Sequence, residues 1–333
     1  MEKRKVVIIG SGPAGYTAAL YTARANLEPL LFAGFYSGTM GGQLMTTTDA
    51  ENYPGFPEGV TGPHMMDLFR KQCERFGTQI LMEDVLSVDL SQHPFHVKGS
   101  NTEVLADSVI IATGATAKRL EIPGTGDDEL WGKGVTACAV CDGAMPIFRN
   151  KPLFVIGGGD SAVEEAIFLT HFGSKVYLVH RRDTLRASKV MADRALNHPK
   201  VEILWDTVCT AVEGAPTVQS VTLKNVKSDK EEKRDAGGLF FAIGHQPNTA
   251  FLNGQIDLYD NDYIKVEPGT TRTNVEGVFA AGDVYDHVYK QAITAAGSGC
   301  MAALDCERWL AAHGATKARI TQEEIQAELE HEA

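Results

Sequence analysis

The sequence has no long apolar run and no excess of positive charge, and these two absences exclude several classes of protein. No stretch approaches the roughly 20 apolar residues that a membrane-spanning helix needs. The apolar residues 6–9, which follow a charged N-terminus, are also too few for a signal peptide. The formal net charge is −12, whereas a general nucleic-acid-binding surface would be basic. We therefore expect a cytoplasmic protein that binds neither a membrane nor nucleic acid.

Cysteine is scarce as well, with six residues in a chain of 333. A long chain with so few cysteines does not depend on a disulfide framework. Cys138 and Cys141 lie close together as C-x-x-C, and the lack of a second such pair disfavours a structural zinc site. We therefore expect no bound metal. The other cysteines are expected to be buried apolar side chains, and they are Cys73, Cys209, Cys300 and Cys306.

The C-x-x-C pair itself is typical of redox chemistry. Two intervening residues allow a disulfide that opens easily, and such thiols commonly have a lowered pKa. Asp142 follows the second cysteine and is placed to move protons as thiolates form and leave. A pair of cysteines buried in a core is the alternative, but the nearby Gly134 and Gly143 favour a turn. We therefore predict that Cys138, Cys141 and Asp142 are catalytic.

Glycine, in contrast, is abundant, and it marks the ends of apolar runs. Residues 5–9 lead into a Gly-x-Gly-x-x-Gly fingerprint, and an alanine-rich helix is predicted from residue 14 to 25. The first glycine allows a tight turn, the second lets the backbone approach a pyrophosphate, and the third lets helix and strand pack closely. The pattern predicts a dinucleotide site, formed by Gly10, Ser11, Gly12, Pro13, Ala14 and Gly15. It does not identify a ribose contact, because no acid ends the next predicted strand at residues 30–32.

A second copy of the pattern begins at residue 152, and arginines indicate its coenzyme. The fingerprint Gly157-x-Gly159-x-x-Ala162 has alanine as an accepted variant of the third glycine. After the next predicted strand, at residues 175–179, an NAD site would carry an acid for the ribose hydroxyl. This strand is instead followed by His180, Arg181, Arg182 and Arg186. Such cations suit the 2′-phosphate of NADPH, and a solvated basic patch is the alternative.

Further apolar runs end at glycine turns in both halves of the chain, at residues 108–114, 238–244 and 277–283. Buried strands that alternate with helices predict an α/β fold with two Rossmann-like dinucleotide-binding domains. The glutamate-rich end of the chain, residues 321–333, predicts an amphipathic helix to which we assign no function.

Together these motifs resemble the low-molecular-weight thioredoxin reductases, from Val6 to about Leu310. The stretches that carry the resemblance are residues 41–44, 46–55, 138–143, 180–183, 281–284 and 291–297. Residues 146–151, after the cysteines, look like the eukaryotic branch of fungi and plants. The resemblance implies an NADPH-dependent flavoprotein that passes electrons through FAD to the cysteine pair and then to thioredoxin.

The resemblance also implies which residues hold the two dinucleotides. FAD is expected along the first fingerprint, with further contacts from Gln43, Asn52, Val85, Asp283, Lys290, Gln291 and Ala292. Asp283 would hold the ribityl chain, and Lys290 stands where family members usually have arginine. NADPH is expected on Gly157, Gly159, Asp160, Ser161, Ala162, His180, Arg181, Arg182, Arg186 and Ile243.

The family's fold implies an NADPH domain inserted into a discontinuous FAD domain. The FAD domain would comprise residues 1–117 and 246–315, the NADPH domain 118–245, and an acidic tail 316–333. By the same resemblance, Cys141 would face the flavin, Cys138 would attack thioredoxin, Asp142 would be the general acid, and the active form would be a homodimer. Because the cysteines and the NADPH fingerprint share one domain, we expect that domain to rotate during turnover.

Two alternatives to this function stay open at this point. One is a reductase for another disulfide protein, such as a peroxiredoxin or a glutaredoxin-like partner. The other is a flavin-binding redox sensor that signals by conformation without turnover.

Overall fold

The computed structural model describes residues 1–34, 40–46 and 50–331, with side chains up to residue 313. Residues 47–49 of a motif quoted above, and the side chains of the predicted acidic tail, lie outside this described part. The chain divides into two compact units. The first unit comprises Met1–Asp49, Gly55–Thr116 and Pro247–Ala333, and the second comprises Ala50–Pro54 and Ala117–Gln246.

Strands and helices alternate along much of the chain. The strands are β1 (Glu2–Ile9), β2 (Leu30–Phe32), β3 (Gln79–Leu81), β4 (Val85–Asp89), β5 (Phe95–Gly99), β6 (Glu103–Ile111), β7 (Ala115–Ala117), β8 (Val135–Thr136), β9 (Pro152–Gly157), β10 (Lys175–Val179), β11 (Val201–Leu204), β12 (Thr207–Glu213), β13 (Ser220–Asn225), β14 (Glu231–Asp235), β15 (Gly238–Ala242), β16 (His245–Pro247) and β17 (Val278–Ala280). The helices are α1 (Pro13–Arg24), α2 (Gly62–Arg75), α3 (Ala139–Asp142), α4 (Asp160–Leu169), α5 (Lys189–Leu196) and α6 (Ala292–His331).

The sheet of the first unit runs in the order β3-β2-β1-β6-β5-β4, and β17 also pairs with β6. β1, β2, β3, β6 and β17 are parallel, as expected for apolar strands buried on both faces. β6 is shared along its length, because antiparallel β5 pairs with its first half and β17 pairs with residues 109–111. The carboxyl ends of β1, β6 and β17 therefore lie side by side at one edge, where parallel α/β sheets bind ligands.

The second unit is built around its own parallel sheet, in the order β11-β10-β9-β15-β8. α4 follows β9 through the second fingerprint, and α5 follows β10. An antiparallel sheet of β12, β13 and β14 belongs to the same unit and was not predicted from the sequence. β7 and β16, which contain two of the points where the chain passes from one unit to the other, pair with each other.

The mixed sheet of the first unit and the parallel sheet of the second, each with flanking helices, confirm the predicted α/β class. The helix predicted over residues 14–25 is α1, and the one predicted near the C-terminus is the end of the much longer α6. α6 packs so closely on α1 that a β-carbon on Gly299 would lie 2.2 Å from the carbonyl oxygen of Ala14. Among the helices described, none has the length and apolar character that a membrane span requires.

Candidate active site

The first fingerprint forms a tight turn between β1 and α1, and packing requires two of its glycines. Gly10 has a φ of +110°, and a β-carbon there would lie 2.2 Å from the carbonyl oxygen of Ala112. A β-carbon on Gly15 would lie 1.8 Å from the carbonyl oxygen of Gly10. Gly12, which caps α1 before Pro13, has nothing within 4 Å of its β-carbon position. This open side at a helix N-terminus fits the approach of a pyrophosphate.

Ser11 and Ala14 connect this turn to neighbouring segments of the first unit. The Ser11 hydroxyl donates to the carbonyl oxygen of Ala33 at 2.6 Å and accepts from the N–H of Gly41 at 2.9 Å. Ala14 is buried, and a β-carbon on Gly282 would lie 2.8 Å from the Ala14 β-carbon. The turn therefore contacts the segment that follows β17.

Asp283 lies in that segment, in a 3-10 turn, and one of its carboxylate oxygens is buried. Within the described structure this atom, Oδ1, has no hydrogen-bond partner. Burial, assisted by the nearby Asp286 carboxylate and opposed by Lys290, raises the pKa of Asp283 to about 7. A buried acceptor without a donor is costly, so a ligand that supplies a donor would be stabilised here. A ribityl hydroxyl group has this chemistry.

Lys290 and Gln291 directly precede α6. Lys290 has a φ of +49°, and its Nζ donates to the carbonyl oxygen of His287 at 3.1 Å. The Thr294 hydroxyl donates to the carbonyl oxygen of Gln291 at 3.0 Å, and Ala292 is the first residue of the helix. Contacts from Lys290, Gln291 and Ala292 to a flavin ring remain predictions.

The other expected FAD contacts lie on separate segments. Gln43 is exposed in the 3-10 turn Gly42–Thr46, and Val85 is half-buried at the start of β4. Asn52 is exposed and belongs to Ala50–Pro54, which groups with the second unit. Their roles in FAD binding also remain predictions.

The first fingerprint and Asp283 together fit FAD. The open side of Gly12 leaves room for a pyrophosphate, and the unpartnered oxygen of Asp283 offers an acceptor to a hydroxyl group. Both lie at the sheet edge formed by the carboxyl ends of β1 and β17, and the contact between Gly282 and Ala14 brings them close.

The second fingerprint forms a similar turn between β9 and α4. A β-carbon on Gly157 would lie 2.5 Å from the carbonyl oxygen of Ala242 and 2.6 Å from the Ala162 β-carbon. Small residues are therefore required at both fingerprint positions. Gly159, the N-cap of α4, has nothing within 4 Å of its β-carbon position, which fits a second pyrophosphate. Ile243 is half-buried directly after β15.

We call residues 181–188 the arginine loop, and it is fastened to this turn. Asp160 and Ser161 are exposed in the first turn of α4, and the Asp160 carboxylate accepts from the N–H of Ser188 at 2.7 Å. The carbonyl oxygen of Gly158 accepts two N–H groups of the loop, at 2.7 and 3.1 Å. The loop therefore lies against the N-terminus of α4.

His180 directly precedes the arginine loop and is buried, with 6% of its surface exposed. Its Nδ1 lies 2.9 Å from the carbonyl oxygen of Gly157, and its Nε2 lies 2.8 Å from that of Thr184. Both ring nitrogens thus face backbone carbonyls. Direct contact between His180 and NADPH remains a prediction.

The arginines of the loop differ from His180 in both exposure and partners. Arg181, Arg182 and Arg186 are exposed, and they form no ion pair among the described side chains. Asp183 pairs instead with Lys227 at 3.4 Å. Unpaired guanidinium groups next to an open helix N-terminus suit a 2′-phosphate.

Cys138 and Cys141 form a disulfide, with their α-carbons 5.3 Å apart. Cys138 is the N-cap of α3, a short helix where the glycines predicted a turn, and the N–H of Cys141 donates to Cys138 Sγ at 3.2 Å. Both cysteines are half-buried, whereas Val140 between them is exposed. After reduction, an N–H donor at the start of a helix would favour the Cys138 thiolate.

Thr136 connects Asp142 to this pair. Its hydroxyl donates to Asp142 Oδ2 and accepts from the N–H of Cys138 at 3.3 Å. Burial raises the pKa of the Asp142 carboxyl, and the bond from Thr136 opposes this effect. A raised pKa keeps the carboxyl protonated to higher pH, which suits a proton donor to a leaving thiolate. Thr136 was not predicted from the sequence. The only signal for it was a hydroxyl side chain two residues before the first cysteine of the pair.

The remaining cysteines are not part of this arrangement. Cys73, Cys209 and Cys306 are buried, and burial raises the pKa of their thiols to about 12, 11 and 12. The prediction of burial is wrong for Cys300, which is half-exposed on α6 next to the Tyr21 hydroxyl. Among the described residues, no cluster of three or more histidine, cysteine, aspartate or glutamate side chains could hold a metal ion.

Comparison with known proteins agrees with this geometry. The chain matches the pyridine nucleotide-disulphide oxidoreductase family over residues 4–299. It is 60% identical over 310 residues to the thioredoxin reductase of Chlamydia trachomatis, covering 93% of this chain and 99% of that protein. It is 56% identical over 316 residues to thioredoxin reductase 2 of Arabidopsis thaliana, covering 93% and 82%. The structure of thioredoxin reductase from Giardia duodenalis superposes with a TM-score of 0.88 at 46% identity, covering 93% of this chain and 100% of that chain. The chain therefore belongs to the pyridine nucleotide-disulphide oxidoreductases and, within them, to the thioredoxin reductases.

Proposed function

We propose that this chain is a flavoenzyme that reduces the disulfide of thioredoxin with NADPH. In the overall reaction NADPH gives a hydride, solvent gives one proton, the thioredoxin disulfide becomes two thiols, and NADP⁺ leaves. The observation that carries the proposal is the Cys138–Cys141 disulfide on α3, a helix that packs on the coenzyme helix α4. Membership of the thioredoxin reductases supports both the coenzyme and the substrate.

α3 and α4 pack closely through small residues. Ala139 is buried in the same core as Ala162 and Val163 of α4. A β-carbon on Gly143, at the end of α3, would lie 2.6 Å from the carbonyl oxygen of Ala139 and 2.8 Å from Leu169 Cδ2. The disulfide and the coenzyme turn therefore belong to one packed body, and any movement of that body carries both.

Each dinucleotide would be held by residues whose chemistry suits it. The turn at Gly159 offers backbone N–H groups to a pyrophosphate, and the arginine loop offers its guanidinium groups to the 2′-phosphate of NADPH. The turn at Gly12 and the Asp283 carboxylate would hold FAD. When bound, FAD supplies an electron carrier that accepts a hydride and passes an electron pair to a disulfide.

The cysteines then exchange one disulfide for another. As a thiolate stabilised by the N–H of Cys141, Cys138 attacks one thioredoxin sulfur, which forms a mixed disulfide and releases the other thioredoxin sulfur as a thiolate. Cys141 next attacks the Cys138 sulfur, so the internal disulfide forms again and the second thioredoxin sulfur leaves. The Asp142 carboxyl, which the Thr136 hydroxyl connects to the N–H of Cys138, would protonate a leaving thiolate.

Two finer parts of the proposal are the assembly of the chain into a homodimer and its location in the cytoplasm. The first rests on the family resemblance, and the second rests on the sequence features discussed above. Light scattering on the purified protein would measure the first, and imaging of a fluorescent fusion in its own cell would measure the second.

Steady-state oxidation of NADPH by the purified, FAD-loaded protein tests the proposed reaction. We expect many turnovers with oxidised thioredoxin and none in the Cys138→Ser variant. Cys209→Ala is the matched control, because Cys209 is buried in the same unit away from the disulfide. A preference for a peroxiredoxin or a glutaredoxin-like protein over thioredoxin would contradict the proposed substrate. Flavin reduction by NADPH without turnover of any disulfide protein would indicate a sensor instead.

A further inference from the structure

The ring of His180 connects the fingerprint turn to the arginine loop. Its Nδ1 lies 2.9 Å from the carbonyl oxygen of Gly157, in the turn, and its Nε2 lies 2.8 Å from the carbonyl oxygen of Thr184, in the loop. Carbonyl oxygens only accept, so the ring donates to one of these two carbonyls when it is neutral and to both when it is protonated. Because the ring is buried, these bonds are shielded from competition with water.

The absence of a side chain at Gly158 leaves the space that the His180 ring occupies. A β-carbon on Gly158 would lie 2.2 Å from His180 Nδ1 and 2.3 Å from Cε1. On another side, the ring of Trp205 meets His180 edge to face, with centroids 6.3 Å apart. A side chain at position 158 would therefore displace the histidine from between the two carbonyls.

His180 anchors the middle of the arginine loop, where the other described polar contact is the ion pair of Asp183 with Lys227. At one end, the carbonyl oxygen of Arg182 accepts from the N–H of Asp206 at 3.1 Å. At the other end, the N–H groups of residues 186–188 bond to Gly158 and Asp160. Thr184 lies between these ends, so the bond to its carbonyl holds the stretch that separates Arg182 from Arg186.

We propose that His180 is a positioning residue for selection of the 2′-phosphate, an inference that rests on the proposed use of NADPH. In place of the direct contact with NADPH that the family resemblance implies, its ring would hold the arginine loop in the conformation that directs the three arginines to one phosphate group. Loss of the ring nitrogens should then weaken binding of a phosphorylated ligand selectively. The ADP part of the ligand, which the Gly159 turn would bind, should be affected little.

Calorimetric binding to the FAD-loaded protein tests this selectivity, with 2′-phospho-ADP-ribose and ADP-ribose as probes. For His180→Phe we expect the Kd of the phosphorylated probe to rise by about tenfold, as for the loss of about 1.4 kcal/mol, and that of ADP-ribose by less than about twofold. Gly158→Ala should reduce the preference for the phosphorylated probe in the same way, because it expels the ring. His180→Gln, which can still donate to a carbonyl, should retain part of the preference. His171→Phe replaces an exposed histidine of the same unit and should change nothing.

Hydrogen exchange in the absence of coenzyme separates positioning from direct contact. The amides of Arg186 and Ala187 donate to Gly158, and they should exchange faster in His180→Phe than in the wild type if the ring fastens the loop. Selective loss of phosphate binding without faster exchange would mean direct contact and would overturn the inference. Unchanged preference, or equal loss of both probes, would overturn it as well. A wild-type protein without preference for the phosphorylated probe would refute the use of NADPH itself.

Discussion

Replacement of Asp283 by asparagine should stabilise the flavin-free protein at neutral and alkaline pH and weaken the binding of FAD. In the structure without ligand, Asp283 Oδ1 is buried and has no donor. An asparagine has nearly the same shape but carries no charge. The asparagine therefore removes the free-energy cost of burying an ionised carboxylate at this site. It also removes the charge that would strengthen a hydrogen bond donated by a ribityl hydroxyl group.

The size and the pH range of the effect follow from the pKa. The carboxyl titrates at 3.8 in its ordinary state and at about 7 in the folded protein. Well below pH 3.8 it is protonated whether folded or unfolded, and it makes no difference to stability. As the pH rises to about 7, the unfolded chain loses this proton and the folded chain keeps it, so the wild type loses stability relative to the variant. Above pH 7 the difference is complete, on the order of 4 kcal/mol.

Urea denaturation of the flavin-free protein, from pH 4 to pH 8.5, would measure this difference. Asp260→Asn, which removes an exposed carboxylate from the same unit, serves as the control and should follow the wild type. Flavin fluorescence would give the affinity for FAD, which should be lower in Asp283→Asn. Parallel stability curves for wild type and Asp283→Asn, or an unchanged affinity for FAD, would refute the reasoning.

Further predictions concern the sulfur chemistry, the coenzyme and the two units. In stopped-flow measurements the Cys141→Ser variant should still show rapid reduction of the flavin by NADPH, but it should no longer reduce thioredoxin. Loss of both steps with FAD still bound would contradict the proposed order of electron transfer. Arg181→Gln combined with Arg182→Gln should raise the KM for NADPH on the order of 100-fold, from about 1.5 kcal/mol per charge-assisted bond, and leave NADH kcat/KM little changed. Lys133→Gln with Lys230→Gln, which removes two exposed charges elsewhere in the second unit, should have no such effect. Asp142→Asn should raise the free energy of unfolding at pH 7, because burial raises the pKa of Asp142. In denaturation curves this gain should shrink as the pH falls and vanish well below 3.8. A verified cross-link that locks the two units together should stop multiple turnover and preserve one half-reaction, and full activity in the locked enzyme would exclude a rotation.

The dinucleotide turns were predictable because their signals are local. An apolar run followed at once by spaced glycines specifies a buried strand, a tight turn and a helix within about fifteen residues, as for β1 and α1. The clashes that would arise at Gly10, Gly15 and Gly157 show why side chains are excluded there. The cysteine pair was equally visible, since its spacing alone allows the disulfide.

Other features depend on contacts between distant parts of the chain. β14 has the sequence Glu-Glu-Lys-Arg-Asp, which has no apolar alternation and resembles a solvated loop. It becomes a strand by pairing with β13. The interior position of His180 depends likewise on the space left by Gly158, and the exposure of Cys300 depends on how α6 packs against α1. Motif spacing contains none of this information.

The pairing of β6 with β17 has a consequence for synthesis on the ribosome. The hydroxyl of Ser108 donates to the carbonyl oxygen of Gly277, 169 residues later, whereas most partners in the second unit are closer in sequence. The second unit can therefore fold while the first still lacks β17 and α6. Asp283 emerges with this late segment, so a nascent chain lacks a complete flavin pocket until translation is nearly finished. Only completed chains would then bind flavin. C-terminal truncations should give proteins in which the second unit is folded but which lack the yellow colour of bound flavin.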